Sequence, residues 1–267
     1  MSLLIFSHAN SFPACVYRLM FKSLRARGFS VKAIDKFGHD PKYPATNNWP
    51  HLVQQLIDFT EVHTARAGEP AYLVGHSLGG FLSVMAAARR PDLARAVLLL
   101  DSPVLGGWRA TTLGVIKRTQ LVGAVSPGAV SRRRRIHWPD AEAAFAHFRT
   151  KKVFSHWNPE VLQDYVTHAM HEEDGQWTLS FRREVETAIY NTLPDNLDRL
   201  LARHPVKCPV AFIGGRHSEE MKQVGMAMTQ KLTKGRITIL DGSHLFPMEN
   251  PIATAAAIEA NLRVLTV

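Results

Sequence analysis

The sequence predicts an α/β fold: a doubly wound, mainly parallel sheet of about six strands with an inserted helical cap. Three observations carry that expectation. Short apolar runs alternate with helix-like segments at both ends of the chain, the pattern of strand–helix–strand units joined by right-handed crossovers. Runs such as Ala96-Val97-Leu98-Leu99-Leu100 lack period-two alternation, as strands buried on both faces do. Between the two ends, residues 104–204 hold no comparable strand series and read as helices.

Taken in order, the first alternating stretch reads as strand over 3–8, helix over 14–27 closed by Gly28, strand over 30–35 and helix over 49–66. It continues with strand over 71–76, helix over 78–90 stopped by Pro91, and strand over 95–100. The second stretch reads as strand over 210–214, helix over 219–233, strand over 236–240 and helix over 252–265. Residues 1–103 and 205–267 are therefore expected to form one core, and residues 104–204 the cap. Within the cap, helices are expected over 111–121, 141–150, 159–170, 182–190 and 195–202. Aromatics are frequent there, Trp108, Trp138, Trp157, Tyr165 and Trp177 among them. An insertion placed just after a strand end would cover the ligand crevice at the carboxyl edge of the sheet, as a lid. The same rings also suit a plain hydrophobic core for the cap itself.

The chain has 267 residues, 46% of them hydrophobic and 21% charged, a composition ordinary for a soluble globular protein. Its net charge of +9 speaks to solubility and loose association with anions, not to fold. Cys15 and Cys208 give no disulfide framework, so reduced thiols are expected. The N-terminus has no basic region and only a short apolar run, too little for a signal peptide or a membrane span. It reads as the first core strand, and the protein is expected to be cytoplasmic. Arg132-Arg133-Arg134-Arg135 reads as an exposed, solvated segment, and no nucleic-acid motif accompanies it. His168 and His171 lie three apart on an expected helix, but no third ligand is evident, which favours surface histidines over a metal pair. His39 and Asp40 follow the second strand, where a plain turn and a substrate contact are both open. Cys15 has no base spaced to activate it and reads as a small apolar filler.

The chemistry concentrates in Gly75-His76-Ser77-Leu78-Gly79, between the run 71–74 and an alanine-rich helical segment. Glycines on both flanks let the backbone crowd together, so that the serine takes a strained φ/ψ with its hydroxyl exposed; this is a nucleophile elbow. A serine hydroxyl needs a base within hydrogen-bond reach, a group that orients the base, and donors for the oxyanion. His244, directly after the last expected strand, emerges at the same sheet edge as Ser77 and is the candidate base. A structural loop histidine is the alternative reading.

With the elbow, the loop at His244 followed by Glu249-Asn250-Pro251, and the early Ser7-His8-Ala9-Asn10, the whole chain resembles the α/β-hydrolase fold family, in its serine esterase/lipase-like branch with a helical cap. Ala9 replaces the glycine of the family's His-Gly-x loop, and the family's two opening antiparallel strands have no counterpart. The resemblance implies an oxyanion hole built from the backbone N–H groups of Leu78 and Asn10, with the Asn10 side-chain amide able to assist. A turn-forming role for Asn10 is compatible with that. Most members carry the acid in the turn after the next-to-last strand, yet positions 216–218 hold Arg216, His217 and Ser218. Some use the end of the strand after the elbow helix, which is Asp101 here; Glu219 is the second candidate. A carboxylate closing an apolar strand needs a partner to offset its desolvation, and a histidine N–H is suitable.

The resemblance thus implies a serine hydrolase acting on a carboxylic ester with an apolar portion, through a Ser77-His244-Asp101 triad and an acyl-enzyme. Neither cofactor nor metal is implied. A serine nucleophile argues against the haloalkane dehalogenase and epoxide hydrolase branches, which attack with aspartate. Thioester cleavage, lactone opening and C–C hydrolysis use the same triad and stay open. A non-catalytic ligand-binding protein on this fold and an anion-binding adaptor working through the arginine run are the readings from other classes.

Overall fold

The computed structural model describes residues 1–104 and 127–266. The expected apolar runs form β1 (Ser2–Ser7), β2 (Phe29–Ala33), β3 (Ala71–His76) and β4 (Ala94–Leu100). Past the middle segment, which contributes β5 (His137–Trp138), β6 (Met170–Glu173) and β7 (Gln176–Leu179), come β8 (Val210–Gly215) and β9 (Ile237–Leu240). The main sheet has six strands in the order β2-β1-β3-β4-β8-β9, and every neighbouring pair is parallel. This is the doubly wound α/β sheet the sequence predicts.

The continuous apolar runs have a two-sided purpose. Leu4, Phe6, Tyr72, Val74, Ala96 and Leu98 belong to one core cluster, whereas Leu3, Ile5, Leu73, Val97 and Leu99 belong to the other. Successive side chains of a strand point to opposite faces, so a sheet with helices on both sides demands apolar residues at every position. The first cluster is capped by the helices Arg18–Ala26 and Pro251–Leu265, which pack on each other; the second is capped by Pro50–Ala67 and Leu78–Arg89. From β1 the chain runs outward to β2 and returns to β3 on β1's other side. That reversal between β1 and β3 opens a crevice beyond their carboxyl ends, at Ser7 and His76.

The all-helical expectation for the middle segment is corrected. Helices lie at Pro127–Arg132, Ala141–Arg149, Pro159–His168, Arg183–Asn191 and Leu197–Arg203, but an antiparallel sheet of order β5-β7-β6 sits among them. Asp174 and Gly175, both at positive φ (49° and 71°), turn β6 into β7 as a two-residue hairpin loop. The helix expected over 159–170 consequently ends at His168, and His171 stands on a strand. The two histidines take separate partners, Asp164 and Glu173. The expected helix over 219–233 divides into Glu219–Val224 and Ala227–Thr233 at Gly225, whose φ is 77°. Trp108 and the helix expected over 111–121 lie outside the described residues.

Trp138, Phe148, Phe154, Trp157 and Tyr165 are all buried and pack against one another in tilted and edge-on pairs, with ring centroids 4.6–5.8 Å apart. Phe12 of the loop after β1 joins them, 5.4 Å from Trp157. These rings are spent on packing. No helix among the described residues is long and apolar enough to cross a membrane.

Candidate active site

Ser77 sits between the end of β3 and the helix Leu78–Arg89 at φ 52°, ψ −115°. Such a conformation costs roughly 1–3 kcal/mol and persists only where the surroundings over-determine it. Here the Ser77 N–H donates to the Leu100 carbonyl (3.0 Å), and its own carbonyl accepts from Gly80 N (3.0 Å) and Ser102 Oγ (2.9 Å). A Cβ at Gly79 would collide with the Ser7 carbonyl, and one at Gly75 with the Gly79 carbonyl. The helix is thereby allowed to dock directly beneath the end of β1, leaving the Ser77 side chain partly exposed at the crevice.

His244 follows β9 and Asp101 follows β4, so both arrive at the same carboxyl edge. His244 Nδ1 lies 2.7 Å from Asp101 Oδ2. Asp101 is fully buried, at φ 44°, and also accepts from Gly215 N (2.8 Å) and Ser218 Oγ (2.5 Å). An ionised carboxylate only accepts, so Nδ1 carries the imidazole proton and Nε2 keeps its lone pair. No hydrogen bond joins Ser77 Oγ to His244 among the described residues; such contacts commonly tighten only once substrate is bound. Burial disfavours the charged His244, but the Asp101 hydrogen bond and the charges of Glu220 and Asp101 outweigh it and hold its pKa above the ordinary imidazole value.

Glu219 opens a helix, as the sequence suggests, and its exposed carboxylate pairs with Lys222 at 2.7 Å. The neighbouring Glu220, which sequence reasoning missed, is a second acid near the histidine, with Oε2 3.7 Å from His244 Nδ1 against 2.7 Å for Asp101. Position 218, one of the three positions where an aspartate is expected, holds a serine whose hydroxyl donates to Asp101 and accepts from the Met221 N–H. Asp101, Glu220 and His244 offer ligand atoms within 4.8 Å of one another. Asp101 already accepts three hydrogen bonds, one of them from the protonated Nδ1, so the trio is held together as a hydrogen-bonded set.

The loop after β1 faces the elbow. The Ala9 N–H donates to Tyr17 Oη (3.0 Å), while the Asn10 and Leu78 N–H groups have no protein acceptor among the described residues. The Asn10 side chain is anchored: Nδ2 donates one of its two hydrogens to the Glu186 carbonyl (3.1 Å) and Oδ1 accepts from the Ser11 N–H (3.1 Å). Ser11, at φ 76°, donates its hydroxyl to Glu186 Oε1 (2.5 Å). Glu186 is itself buried and paired with Arg134, 3.3 Å away, which also donates to Tyr165 Oη (2.6 Å). One arginine of the run expected to be solvated is therefore a structural cation, its side chain 21% exposed.

His8 is buried and neutral, its pKa pushed down to about 4 by burial; Nε2 accepts from the Phe37 N–H and Nδ1 donates to the Ala9 carbonyl. His39 spends Nδ1 on the Phe37 carbonyl and Nε2 on the Arg182 N–H, and Asp40 closes a turn by accepting from Lys42 N. Burial, and then the charge of Asp35, push the Cys15 thiol up to about 12, so it stays protonated and inert.

A family model described as alpha/beta hydrolase family matches residues 4–257. An abhydrolase domain-containing protein of Alternaria alternata is 30% identical over 68% of this chain and 79% of its own length. A serine hydrolase-like protein of Dictyostelium discoideum is 23% identical over 86% of this chain and 66% of its own length. Among solved structures, E-2-(acetamidomethylene)succinate hydrolase superposes with a TM-score of 0.73 at 22% identity, covering 98% of this chain and 91% of that one. With the parallel sheet and the strained serine turn already described, the match across nearly the whole chain identifies this protein as a member of the alpha/beta hydrolase family.

Proposed function

We propose that the protein is a serine hydrolase cleaving a carboxylic ester with an apolar portion, with Ser77 as nucleophile, His244 as general base and Asp101 as the acid that orients it. Ser77 Oγ attacks the ester carbonyl while His244 Nε2 takes its proton. The Leu78 and Asn10 N–H groups receive the oxyanion, each such donor being worth about 3–4 kcal/mol in the transition state. The imidazolium then protonates the departing alcohol, and an acyl-enzyme remains. Water, deprotonated by His244, attacks that ester, and collapse returns Ser77 and releases the acid. Asp101 stays ionised throughout and keeps the proton on Nδ1. The observation that carries this reading is the pairing of a strained, partly exposed Ser77 with a histidine held at 2.7 Å by a fully buried aspartate at the same sheet edge. We further read residues 104–204 as a cap over the crevice and the enzyme as cytoplasmic, a reading supported by two unpaired cysteines.

The test is hydrolysis of p-nitrophenyl esters from acetate to decanoate by the protein and its Ser77→Ala variant. Turnover lost with the hydroxyl supports the reading, and the chain-length optimum sizes the pocket. Equal rates in both proteins refute Ser77 as the esterase nucleophile. Inactivity in both refutes the ester, and thioester, lactone and C–C substrates are then assayed on the same pair.

A further inference from the structure

Tyr17 and His76 take no part in the reaction as written, yet both are buried and all their polar atoms are engaged. His76 Nε2 lies 2.9 Å from the His244 carbonyl oxygen, and Nδ1 lies 2.7 Å from Tyr17 Oη. The Tyr17 oxygen in turn receives the Ala9 N–H at 3.0 Å. The protons in this chain have one arrangement. A carbonyl only accepts, so Nε2 is the protonated nitrogen of His76. A neutral imidazole then offers a lone pair at Nδ1, and the phenol donates to it. The polarity runs from Ala9 N–H to Tyr17 O–H to His76 N–H to the His244 carbonyl. Burial, reinforced by His244, pushes the His76 pKa down to about 3, and burial pushes that of Tyr17 up, so neither group changes charge near neutrality.

We propose that Tyr17 and His76 are positioning residues that lock the oxyanion loop and the general-base loop to each other across Ser77; the proposal rests on the serine hydrolase reading. Each end of the chain meets a part of the reacting machinery. At one end the Ala9 N–H is consumed, which makes the next amide, that of Asn10, the free donor facing the oxyanion. At the other end the anchored carbonyl fixes the backbone of His244, while Asp101 holds the ring at Nδ1. His244 is gripped at two points, ring and backbone, and the backbone grip comes from the residue immediately before the nucleophile. Packing alone does not call for this arrangement. The Tyr17 ring lies 4.6 Å from Phe6 and 6.1 Å from Phe21, contacts a phenylalanine would keep. The hydroxyl is the part that packing leaves unexplained.

The experiment compares Tyr17→Phe, His76→Leu and His76→Gln in steady-state turnover and in the rate at which a fluorophosphonate labels Ser77. Tyr17→Phe and His76→Leu are expected to lower kcat and the labelling rate about 10- to 100-fold, as sub-ångström loss of alignment does, with KM within about twofold of the parent. His76→Gln keeps a donor for the His244 carbonyl and is expected to recover at least half of that loss on a logarithmic scale. If kcat and labelling stay within about twofold while only thermal stability falls, the pair is structural and the proposal is overturned. Should His76→Leu fail to fold, the ring-preserving Tyr17→Phe decides. The His244 Nδ1–H and Asn10 amide resonances supply a readout independent of turnover, and both must move in Tyr17→Phe. If the unmodified protein is neither labelled nor active, the hydrolase reading fails and these two resonances alone judge the coupling. Resonances unchanged in Tyr17→Phe overturn it.

Discussion

Replacing Asp101 with asparagine changes one atom of the site and all of its proton logic. The carboxylate receives three donors: Gly215 N–H at one oxygen, and Ser218 O–H and His244 Nδ1–H at the other. An amide can keep the first by holding its oxygen toward Gly215, but its NH2 then faces two donors. The Ser218 hydroxyl can rotate away. His244 must shift its proton to Nε2 so that Nδ1 accepts, and the nitrogen facing Ser77 ceases to be a base. The loss expected on kcat is about 10³–10⁴-fold, or about 4–5.5 kcal/mol, as when a triad acid becomes neutral. The cost in stability is smaller, on the order of 1.5–3 kcal/mol for a hydrogen bond to a charged group. The assay is kcat and KM on the best p-nitrophenyl ester, with folded fraction checked by chemical denaturation. Glu219→Gln, run alongside, is expected to stay within about twofold, since Glu219 is an exposed partner of Lys222. An Asp101→Asn enzyme within about tenfold of the parent would refute the assignment of the acid.

Other outcomes follow from the same geometry. His244 must be neutral to act as base, and Asp101, Glu220 and the neutral His76 are the titratable groups facing it. Its raised pKa therefore puts the acid limb of kcat/KM above the ordinary imidazole value of about 6.5, with activity falling as pH drops through it. Glu220→Gln removes a charge that favours imidazolium and should move that limb to lower pH. Glu220 is 47% exposed, so after screening the gain at the foot of the limb is about two- to fivefold; a shift to higher pH would contradict the sign. Gly79→Ala drives a methyl into the Ser7 carbonyl and should cost about 1–3 kcal/mol in denaturant stability together with most of the turnover. Arg134→Ala leaves Glu186 buried without its cation and should cost about 3–5 kcal/mol by the same measurement, whereas a surface arginine would cost almost nothing.

The elbow was legible because its constraint is local: a serine at positive φ needs small neighbours, and those neighbours stand within two residues of it. The four inner strands β1, β3, β4 and β8 were legible because a sheet covered on both faces leaves no polar alternation to misread, and the less buried edge strands β2 and β9 were legible from their place in the strand–helix alternation. The β6–β7 hairpin carried a signal, Asp174-Gly175, but Glu172, Glu173 and Gln176 beside it denied its strands an apolar face. Arg134 was hidden for the opposite reason. A run of four arginines looks uniformly solvated, and only the approach of the helix Arg183–Asn191 buries one of them against Glu186. Glu220, Ser218, Tyr17 and His76 draw their roles from partners between 24 and 168 positions away, brought together only where loops meet at the sheet edge.

The serine at position 218 allows the placement of the acid to be tested by moving it. Ser218 Oγ and His244 Nδ1 both touch Asp101 Oδ2, at 2.5 and 2.7 Å, so the two atoms lie within about 5 Å of each other. An aspartate introduced at 218 reaches farther than the hydroxyl it replaces and enters the same pocket. In Ser218→Asp alone, two carboxylates meet where one is fully buried, and like charges that close cannot both ionise. One takes a proton and turnover falls. In Ser218→Asp combined with Asp101→Asn the conflict disappears. The introduced amide donates to the new carboxylate, which again accepts the Nδ1–H and restores Nε2 as a base. We expect the double variant to turn over at least about tenfold faster than Asp101→Asn, a non-additive rescue that independent sites do not give. If the double variant is no faster, a carboxylate in the turn after β8 does not lie on the Nδ1 axis. Orientation of the base then belongs to the end of β4 alone, and the serine at 218 is there to satisfy Asp101, not to stand in for it.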